Sequence, residues 1–130
     1  MDKDTNKTVS VRYIVNDVSA CMAFYQKLLG FEISFDRSPA FAMLTKGPFR
    51  LLLNKPGAGG AGQSMPDGAA PEPGGWNRFQ LEVEDLESTV AALKKQNATF
   101  RNEIVHGIGG DQILLQDPSG NLIELFQAKQ

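Results

Sequence analysis

The feature that most constrains the fold is an internal repeat. The segment Val15-Asn16-Asp17-Val18 matches Val83-Glu84-Asp85-Leu86, and each is followed by a helical pattern and then by three short apolar segments. Each copy predicts a βαβββ module, in which a single helix can cover only one face of its sheet. We therefore predict an α+β fold in which two βαβββ modules form a curved mixed sheet around a shared cleft.

In the first module, alternating apolar residues predict a strand over residues 9–16. Asp17 is expected to cap the following helix, and Gly30 to end it. Three strands are then predicted over residues 31–35, 40–45 and 49–54, separated by turns that contain proline or glycine.

In the second module, a strand is predicted over residues 76–83. Asp85 should cap a helix that runs to about Gln96, with Asn97 at the position that Gly30 occupies in the first module. The remaining strands are predicted over residues 99–104, 112–116 and 121–127. The chain is thus expected to be one domain over residues 9–128, with a disordered tail at 1–8 and modules at 9–54 and 76–128.

Residues 55–75, between the modules, are rich in glycine, alanine and proline and lack any hydrophobic period. This composition predicts a mobile linker or a flap over the cleft. Residues 57–62 fit the G-x-G-x-x-G pattern of nucleotide-binding loops, but no helix pattern follows them, and the linker interpretation is favoured.

The segment from Asp117 to Phe126 begins with the turn Asp117-Pro118-Ser119-Gly120 and continues as an alternating strand. Glu124 lies between Leu122 and Phe126 on one face of that strand. A carboxylate in such surroundings is at a rim, paired with a cation, or functional, and Glu124 is therefore a candidate general base or ligand.

The strand that opens the second module also sorts its side chains by face. One face is apolar, whereas the other carries Arg78, Gln80 and Glu82. A polar face with aromatic edges is typical of a small-molecule site. The predicted ligand-binding residues are Arg12, Trp76, Arg78, Gln80, Glu124 and Phe126.

Composition excludes several classes of function. The net charge of −2 gives no basic field for nucleic acid. No apolar run approaches the roughly 20 residues that span a bilayer, so no membrane is expected. The N-terminal residues resemble neither a signal nor a transit peptide, and the single cysteine fits a reducing compartment. The cytoplasm is the expected location.

Two sequence motifs of the chain resemble those of a known family. The first module's Phe24-Tyr25-x-x-Leu28-Leu29-Gly30-Phe31 and the terminal Asp117-Pro118-Ser119-Gly120-Asn121-x-Ile123-Glu124-Leu125 are similar to motifs of the vicinal oxygen chelate superfamily. This is the group of glyoxalase I, bleomycin-resistance proteins and extradiol dioxygenases. The resemblance covers about residues 9–127 and implies the two-module fold and a homodimer. Its members include isomerases, dioxygenases, thiol transferases and non-catalytic drug binders.

The resemblance also implies four metal-ligand positions, one in the first and one in the last strand of each module. On this chain they fall on Ser10, on Leu51 within the run Leu51-Leu52-Leu53, on Arg78 and on Glu124. Only Glu124 is a usual ligand, because a guanidinium stays protonated and has no acceptor. We infer that an Arg78–Glu124 pair could replace the ion electrostatically, and no cofactor is predicted.

Three functions are considered. The first is a metal-independent small-molecule binder of the bleomycin-resistance kind. The second is a metal-dependent enzyme, such as a lactoylglutathione lyase or a dioxygenase-like protein, with Glu124 joined by His106, Glu82 or Glu103 as unusual ligands. The third is a dimeric interaction module without ligand chemistry. We predict the binder, and we expect His106 to be a solvated loop histidine, since no carboxylate partner is visible in the sequence.

Overall fold

The computed structural model describes residues 8–129, which divide into two units, one ending at Pro73 and the other beginning at Gly74. Each unit has its own sheet and begins strand, helix, strand, and the second unit has one additional short strand, so the predicted α+β repeat is confirmed. The predicted N-terminal tail of residues 1–8 lies outside the described residues, except for Thr8, which is exposed.

The first unit has a four-stranded mixed sheet. Its elements are β1 (Val9–Ile14), α1 (Val18–Leu29), β2 (Glu32–Arg37), β3 (Phe41–Lys46) and β4 (Phe49–Asn54). The strand order is β1-β4-β3-β2, and β1 runs parallel to β4. Both predicted helix ends are confirmed, since Asp17 Oδ1 accepts the Ala20 N–H at 3.0 Å and Gly30 has the left-handed φ of 73° that favours glycine.

The second unit repeats this order. Its elements are β5 (Arg78–Glu82), α2 (Leu86–Lys95), β6 (Thr99–Phe100), β7 (Val105–His106), β8 (Gly110–Gln116) and β9 (Leu122–Ala128). The main strand order is β5-β9-β8-β6, with β5 parallel to β9 and β7 paired to β8. Asp85 caps α2 and Asn97 has a φ of 65°, as predicted. Neither helix in the described range has the length and apolar character needed to cross a bilayer.

The two sheets have equivalent registers. The Val15 N–H donates to the Asn54 carbonyl at 2.8 Å, and the Val83 N–H donates to the Phe126 carbonyl at 2.8 Å. Because each bond lies just after the first strand of its unit, Asn54 of β4 is the counterpart of Phe126 of β9. The repeat seen in the sequence therefore extends to individual positions of the last strands.

Each helix covers one face of its own sheet. α1 packs against β2, β3 and β4, and α2 packs against β9. The fully or almost fully buried apolar side chains of the first unit include Val15, Cys21, Tyr25, Phe31, Leu44, Leu51 and Leu53. Those of the second unit include Leu86, Leu93, Ile113, Leu115, Ile123 and Leu125. The other face of each sheet is not covered by the helix of its unit.

The predicted strand over residues 99–104 is wrong after Phe100. Beyond β6, the Arg101 N–H still donates to the Leu114 carbonyl at 2.8 Å, but the Leu114 N–H donates to the side-chain Oδ1 of Asn102 at 2.9 Å. A side-chain oxygen thus replaces the backbone acceptor that would continue the ladder. Asparagine side chains often compete with the backbone for hydrogen bonds in this way. Pairing with β8 resumes only at β7.

The segment that connects the units is built of turns at its beginning. The Lys55 N–H donates to the Ala40 carbonyl at 3.0 Å, and the Gly62 N–H donates to the Ala58 carbonyl at 3.0 Å. A Cβ on Gly62 would lie 2.5 Å from the Ala58 backbone, so only glycine fits there. Residues 55–62 therefore form a turn that is hydrogen-bonded to the first sheet, and the role of a flap stays a prediction.

Gly110, at the start of β8, offers a test of the packing. A Cβ at this position would clash with the Gln127 carbonyl and would lie 2.7 Å from the Phe126 ring. We expect Gly110→Ala to lower the free energy of unfolding by about 1–3 kcal/mol, because the ring and the strand must shift. Urea unfolding followed by circular dichroism measures this change.

The neighbouring Gly109→Ala variant is the control, since a Cβ there meets no atom within 4 Å. It should change the free energy of unfolding by less than about 0.5 kcal/mol. Equal losses in the two variants would contradict the close packing of Gly110 against Phe126.

Candidate functional site

The candidate site of the second unit is centred on Glu124, in the middle of β9. The parallel register places Gln80 of β5 directly opposite Glu124, and Arg78 opposite Leu122. Because alternate residues of a strand share a face, Arg78, Gln80 and Glu124 are neighbours on the face that α2 leaves uncovered. The sequence prediction of a shared polar face is confirmed for these three residues.

The Glu124 carboxylate is held by side chains on the adjacent strand. Arg78 approaches Oε1 with Nε at 3.0 Å and with Nη2 at 2.9 Å. Gln80 Nε2 donates to Oε2 at 2.6 Å. Both carboxylate oxygens therefore accept hydrogen bonds, and the Arg78 charge balances that of Glu124.

Gln112 of β8 completes this arrangement from the other side of β9. In the orientation that satisfies its hydrogen bonding, its amide nitrogen lies 3.0 Å from Oε2 and 2.9 Å from Oε1 of Glu124. Sequence reasoning missed this residue as part of the site. The available signal was the alternation in β8, which places Gln112 and Leu114 on one face and Ile113 on the other.

Burial explains why Glu124 needs these donors. The residue is only 9% exposed, and a buried carboxylate is costly unless it is paired and hydrogen-bonded. Of the possibilities drawn from the sequence, the structure shows the paired one. The side chain of Arg78 is 31% exposed, so the pair keeps a solvated edge on the arginine side.

The side chains around Glu124 do not fit the divalent metal of the family. Arg78 presents a permanently protonated cation to the carboxylate, and Gln80 and Gln112 turn amide nitrogens toward it, so neither amide offers its oxygen. Within residues 8–129, no three histidine, cysteine, aspartate or glutamate side chains are grouped closely enough to hold an ion. His106, Glu82 and Glu103 therefore do not assemble with Glu124 into a ligand set.

In the first unit, the two positions at which the family resemblance implies metal ligands carry serine and leucine. Ser10 Oγ accepts a hydrogen bond from Arg50 Nε at 3.0 Å. The assignment of the last position to Leu51 was wrong: the equivalent registers make Leu52 the counterpart of Glu124, and Leu51 is fully buried on the opposite face. Leucine at either position offers no ligand atom.

Trp76 lies just before β5, although the sequence predicted it inside the strand. Its ring lies 4.9 Å from the guanidinium carbon of Arg101, and its carbonyl accepts from Arg78 Nη1 at 3.3 Å. Arg101 also donates to the carbonyls of Gly75 and Gly120 at 3.1 and 3.3 Å. Trp76 is 68% exposed, so its outer face is accessible while its inner face is held by a cation–π contact.

Phe126 follows Glu124 on the same face of β9 and pairs with Gln112 of β8 and Glu82 of β5. It is partly buried, and its ring packs closely over Gly110. The predicted residues of the second unit thus form a polar centre of charged and amide groups, with an aromatic ring at the Phe126 end.

Arg12, the remaining predicted residue, belongs to the first unit and lines a groove of about 500 Å³ there. Its Nη1 donates to Asn54 Oδ1 at 2.6 Å, and Asn54 Nδ2 donates to the Ala58 carbonyl at 3.4 Å. The groove is also lined by Phe35, Arg37, Ala40, Phe41 and residues 59–61. Sequence reasoning missed this groove, because its wall comes from the segment that was interpreted as a linker.

His106 has the carboxylate partner that the sequence did not reveal. It lies in β7 opposite Asp111 of β8, and its Nδ1 is 3.0 Å from Asp111 Oδ1. That oxygen is buried and has no other described donor, so the contact is a hydrogen bond when Nδ1 carries a proton. The side chain of His106 is 69% exposed, as expected for a solvated histidine, but its carboxylate partner lies across the three-residue loop 107–109 and was not recognised from the sequence.

Asp36, next to Arg37, shows a shifted pKa. Its Oδ1 accepts the Ser38 backbone N–H at 2.9 Å, and hydrogen bonds from Ser38 lower the pKa of this exposed carboxyl below its usual range. The ionised form therefore supports the turn after β2 at pH values above the usual pKa of aspartate, and this support is lost as the pH falls through the lowered pKa.

Comparison with known proteins agrees with this geometry. The family model of the Glyoxalase/Bleomycin resistance protein/Dioxygenase superfamily matches residues 7–125, and the chain belongs to this superfamily. A search of curated proteins found no significant match in sequence. The resemblance drawn from the helix and turn motifs is thereby confirmed.

Solved structures show the same fold at low identity. Lactoylglutathione lyase from Agrobacterium tumefaciens is 18% identical, with a TM-score of 0.72 over 92% of this chain and 91% of its own. TnmS3, an antibiotic binding protein from Streptomyces sp. CB03234, is 22% identical, with a TM-score of 0.70 over 94% and 95%. TioX from Micromonospora sp. ML1 is 15% identical, with a TM-score of 0.73 over 94% and 98%.

The hydrogen bonds of Glu124 predict a measurable loss of stability on neutralisation. Glu124→Gln keeps the size of the side chain but removes the charge and turns an amide nitrogen toward other donors. Since bonds to a charged group contribute about 1.5–3 kcal/mol and the partner Arg78 is partly solvated, we expect a loss of about 1–2 kcal/mol in the free energy of unfolding.

The control is Glu82→Gln, on an exposed position of β5. It should cost less than about 0.5 kcal/mol in urea unfolding. If Glu124→Gln loses no more stability than Glu82→Gln, the described role of the Glu124 pair is contradicted.

The turn at residues 55–62 gives a second prediction. Gly62→Ala forces a Cβ against the Ala58 backbone, so the hydrogen bonds of Gly57 and Gly62 should open. We expect their amide protons to exchange at least about tenfold faster in hydrogen-exchange NMR, which corresponds to about 1.4 kcal/mol of local stability. Gly60→Ala, where a Cβ meets no atom within 4 Å, should leave these rates unchanged.

Proposed function

We propose that the protein is a metal-independent binder of small organic molecules, rather than an enzyme of the glyoxalase class. The observation that carries this proposal is the Glu124 carboxylate, which is occupied by Arg78, Gln80 and Gln112. A carboxylate whose oxygens are hydrogen-bonded in this way is part of a rigid polar surface and is not free to bind a metal ion. Membership of a superfamily that includes bleomycin-resistance proteins supports the same proposal, as does the shared fold with an antibiotic binding protein.

The proposed contacts on the second sheet are made by the predicted residues themselves. Arg78 keeps a solvated edge that can donate to an oxygen of a ligand, and Gln80 is exposed beside it. Trp76 and Phe126 offer ring surface for an apolar or aromatic portion of the ligand. This division between oriented polar groups and aromatic rings is the make-up that small-molecule sites usually have.

The first test is metal analysis of untagged protein after incubation with nickel, zinc, manganese and cobalt, followed by desalting. We expect well under one ion per chain, because the positive charge of Arg78 repels a metal cation that approaches the Glu124 carboxylate. One ion per chain that is lost in Glu124→Gln would overturn the proposal and favour the glyoxalase-class enzyme, for which a lyase assay would then be the next step.

The second test is ligand screening by thermal shift with antibiotics and metabolites, with hits measured by calorimetry. We expect Arg78→Gln and Glu124→Gln to weaken the binding of a hit by at least about tenfold, since each removes a charged partner from the polar surface. Glu87→Gln, on an exposed position of α2, should bind as the wild type does. A panel without any hit, or equal affinities in all three variants, would contradict this site.

Homodimerisation is part of the same proposal. Several large apolar side chains are exposed in the single chain, among them Val9, Trp76 and Ile108, and such exposed residues are common at interfaces. Light scattering after size exclusion should give twice the mass of 14.2 kDa. The cytoplasmic location stays a prediction from the sequence.

A further inference from the structure

We propose that the groove of the first unit binds the carboxylate end of a planar aromatic acid. The groove is lined by Arg12, Arg37, Phe35, Phe41 and residues 58–61, all of which belong to the first unit. This inference goes beyond the proposed function, because it names a second binding surface and a class of ligand that the Glu124 residues do not determine.

The described lining of the groove carries positive charge without an acidic residue. Within residues 8–129, neither Arg12 nor Arg37 forms an ion pair, and the groove lining contains no carboxylate. The hydrogen bond of Arg12 goes to the neutral side chain of Asn54, which leaves the rest of its guanidinium to donate. Two guanidinium groups without acidic partners favour an anion, and their planar forks match a carboxylate.

Arg12 is also held in position. Asn54, its acceptor, is only 3% exposed, and it donates to the carbonyl of Ala58 in the adjoining turn. A buried amide that is bonded on both sides fixes the direction of the guanidinium before a ligand arrives. Binding then requires less ordering of a long side chain than a free surface arginine does.

The wall of the groove is aromatic. The rings of Phe35 and Phe41 lie 6.1 Å apart at 57°, and the Arg37 guanidinium lies 5.2 Å from the Phe35 ring centre. Phe35 is 42% exposed, which leaves ring surface available to a ligand. A planar aromatic ring fits this surface, because ring pairs favour offset or edge-to-face contacts at such distances.

The glycine-rich turn adds backbone donors. In the described part of the chain, the N–H groups of Gly59, Gly60 and Ala61 have no acceptor, although all three residues line the groove. Successive free N–H groups in a turn that includes a left-handed residue form a concavity that attracts anions, and Gly59 has a φ of 58°. The groove volume of about 500 Å³ accommodates one or two fused rings with a carboxylate.

The test uses 2-naphthoate as the probe and the neutral 2-naphthamide as its matched control. Calorimetry with the full chain should show saturable binding of the acid and at least about tenfold weaker binding of the amide, since charged hydrogen bonds contribute most. In ¹⁵N-labelled protein, the acid should shift the amide signals of Gly59, Gly60 and Ala61.

Matched variants locate the site. Arg12→Gln and Arg37→Gln should each weaken naphthoate binding by at least about tenfold. Arg50→Gln removes the same charge from a residue of the same unit that does not line the groove, and it should bind as the wild type does. Circular dichroism of each variant checks that it folds, and Arg12→Lys, which keeps the charge but loses the fork, should be intermediate.

The outcomes separate this inference from the proposed function. If naphthoate does not bind at millimolar concentration, or if the amide binds equally well, the groove inference is overturned while the Glu124 site stands. If Arg78→Gln abolishes naphthoate binding and Arg12→Gln does not, the acid binds at the Glu124 site and the groove inference is again wrong. Loss of affinity in the Arg12 and Arg37 variants alone, with shifts at residues 59–61, supports it.

Discussion

The parallel pairing of the first and last strand in each unit is the constraint on which both candidate sites depend. In the second unit this pairing places Gln80 opposite Glu124, with Arg78 one step away on the same face. The Glu124 carboxylate is only 9% exposed, and donors from β5 and β8 reach both of its oxygens, which compensates for its burial. Without that register the charge would be buried alone, and the strand could not tolerate it.

The repeat places different chemistry at equivalent positions, and this difference distinguishes the two units. Leu52 stands where Glu124 stands in the second unit, so Arg12, which lies opposite Leu52, has no carboxylate partner among residues 8–129. Its hydrogen bond goes to Asn54 instead, and its charge stays available. In the second unit Glu124 pairs with Arg78, whereas the groove of the first unit has two arginines beside aromatic rings and no carboxylate in its lining, which is the physical reason for assigning an anionic ligand to that groove.

Local signals in the sequence were sufficient for most of the backbone. Asp17 and Asp85 cap their helices because a short carboxylate after an extended residue can accept the free N–H groups of the first turn, and this needs no tertiary contact. The prediction of a strand over residues 99–104 failed for the opposite reason, since the side chain of Asn102 accepts the N–H of Leu114 in β8, twelve residues away. Competition between a side chain and a distant backbone group does not show in a local pattern.

The sequence by itself determined the repeat, the helix boundaries and the face on which Arg78, Gln80 and Glu124 meet, because periodicity of two and residue preferences at helix ends act over a few residues. Only the tertiary structure decided the register, which made Leu52 rather than Leu51 the counterpart of Glu124 and brought Gln112 to its carboxylate. It also decided that residues 58–61 line a groove with Arg12 and Arg37. These results depend on hydrogen bonds between segments far apart in the chain, whose alignment alternation alone leaves open.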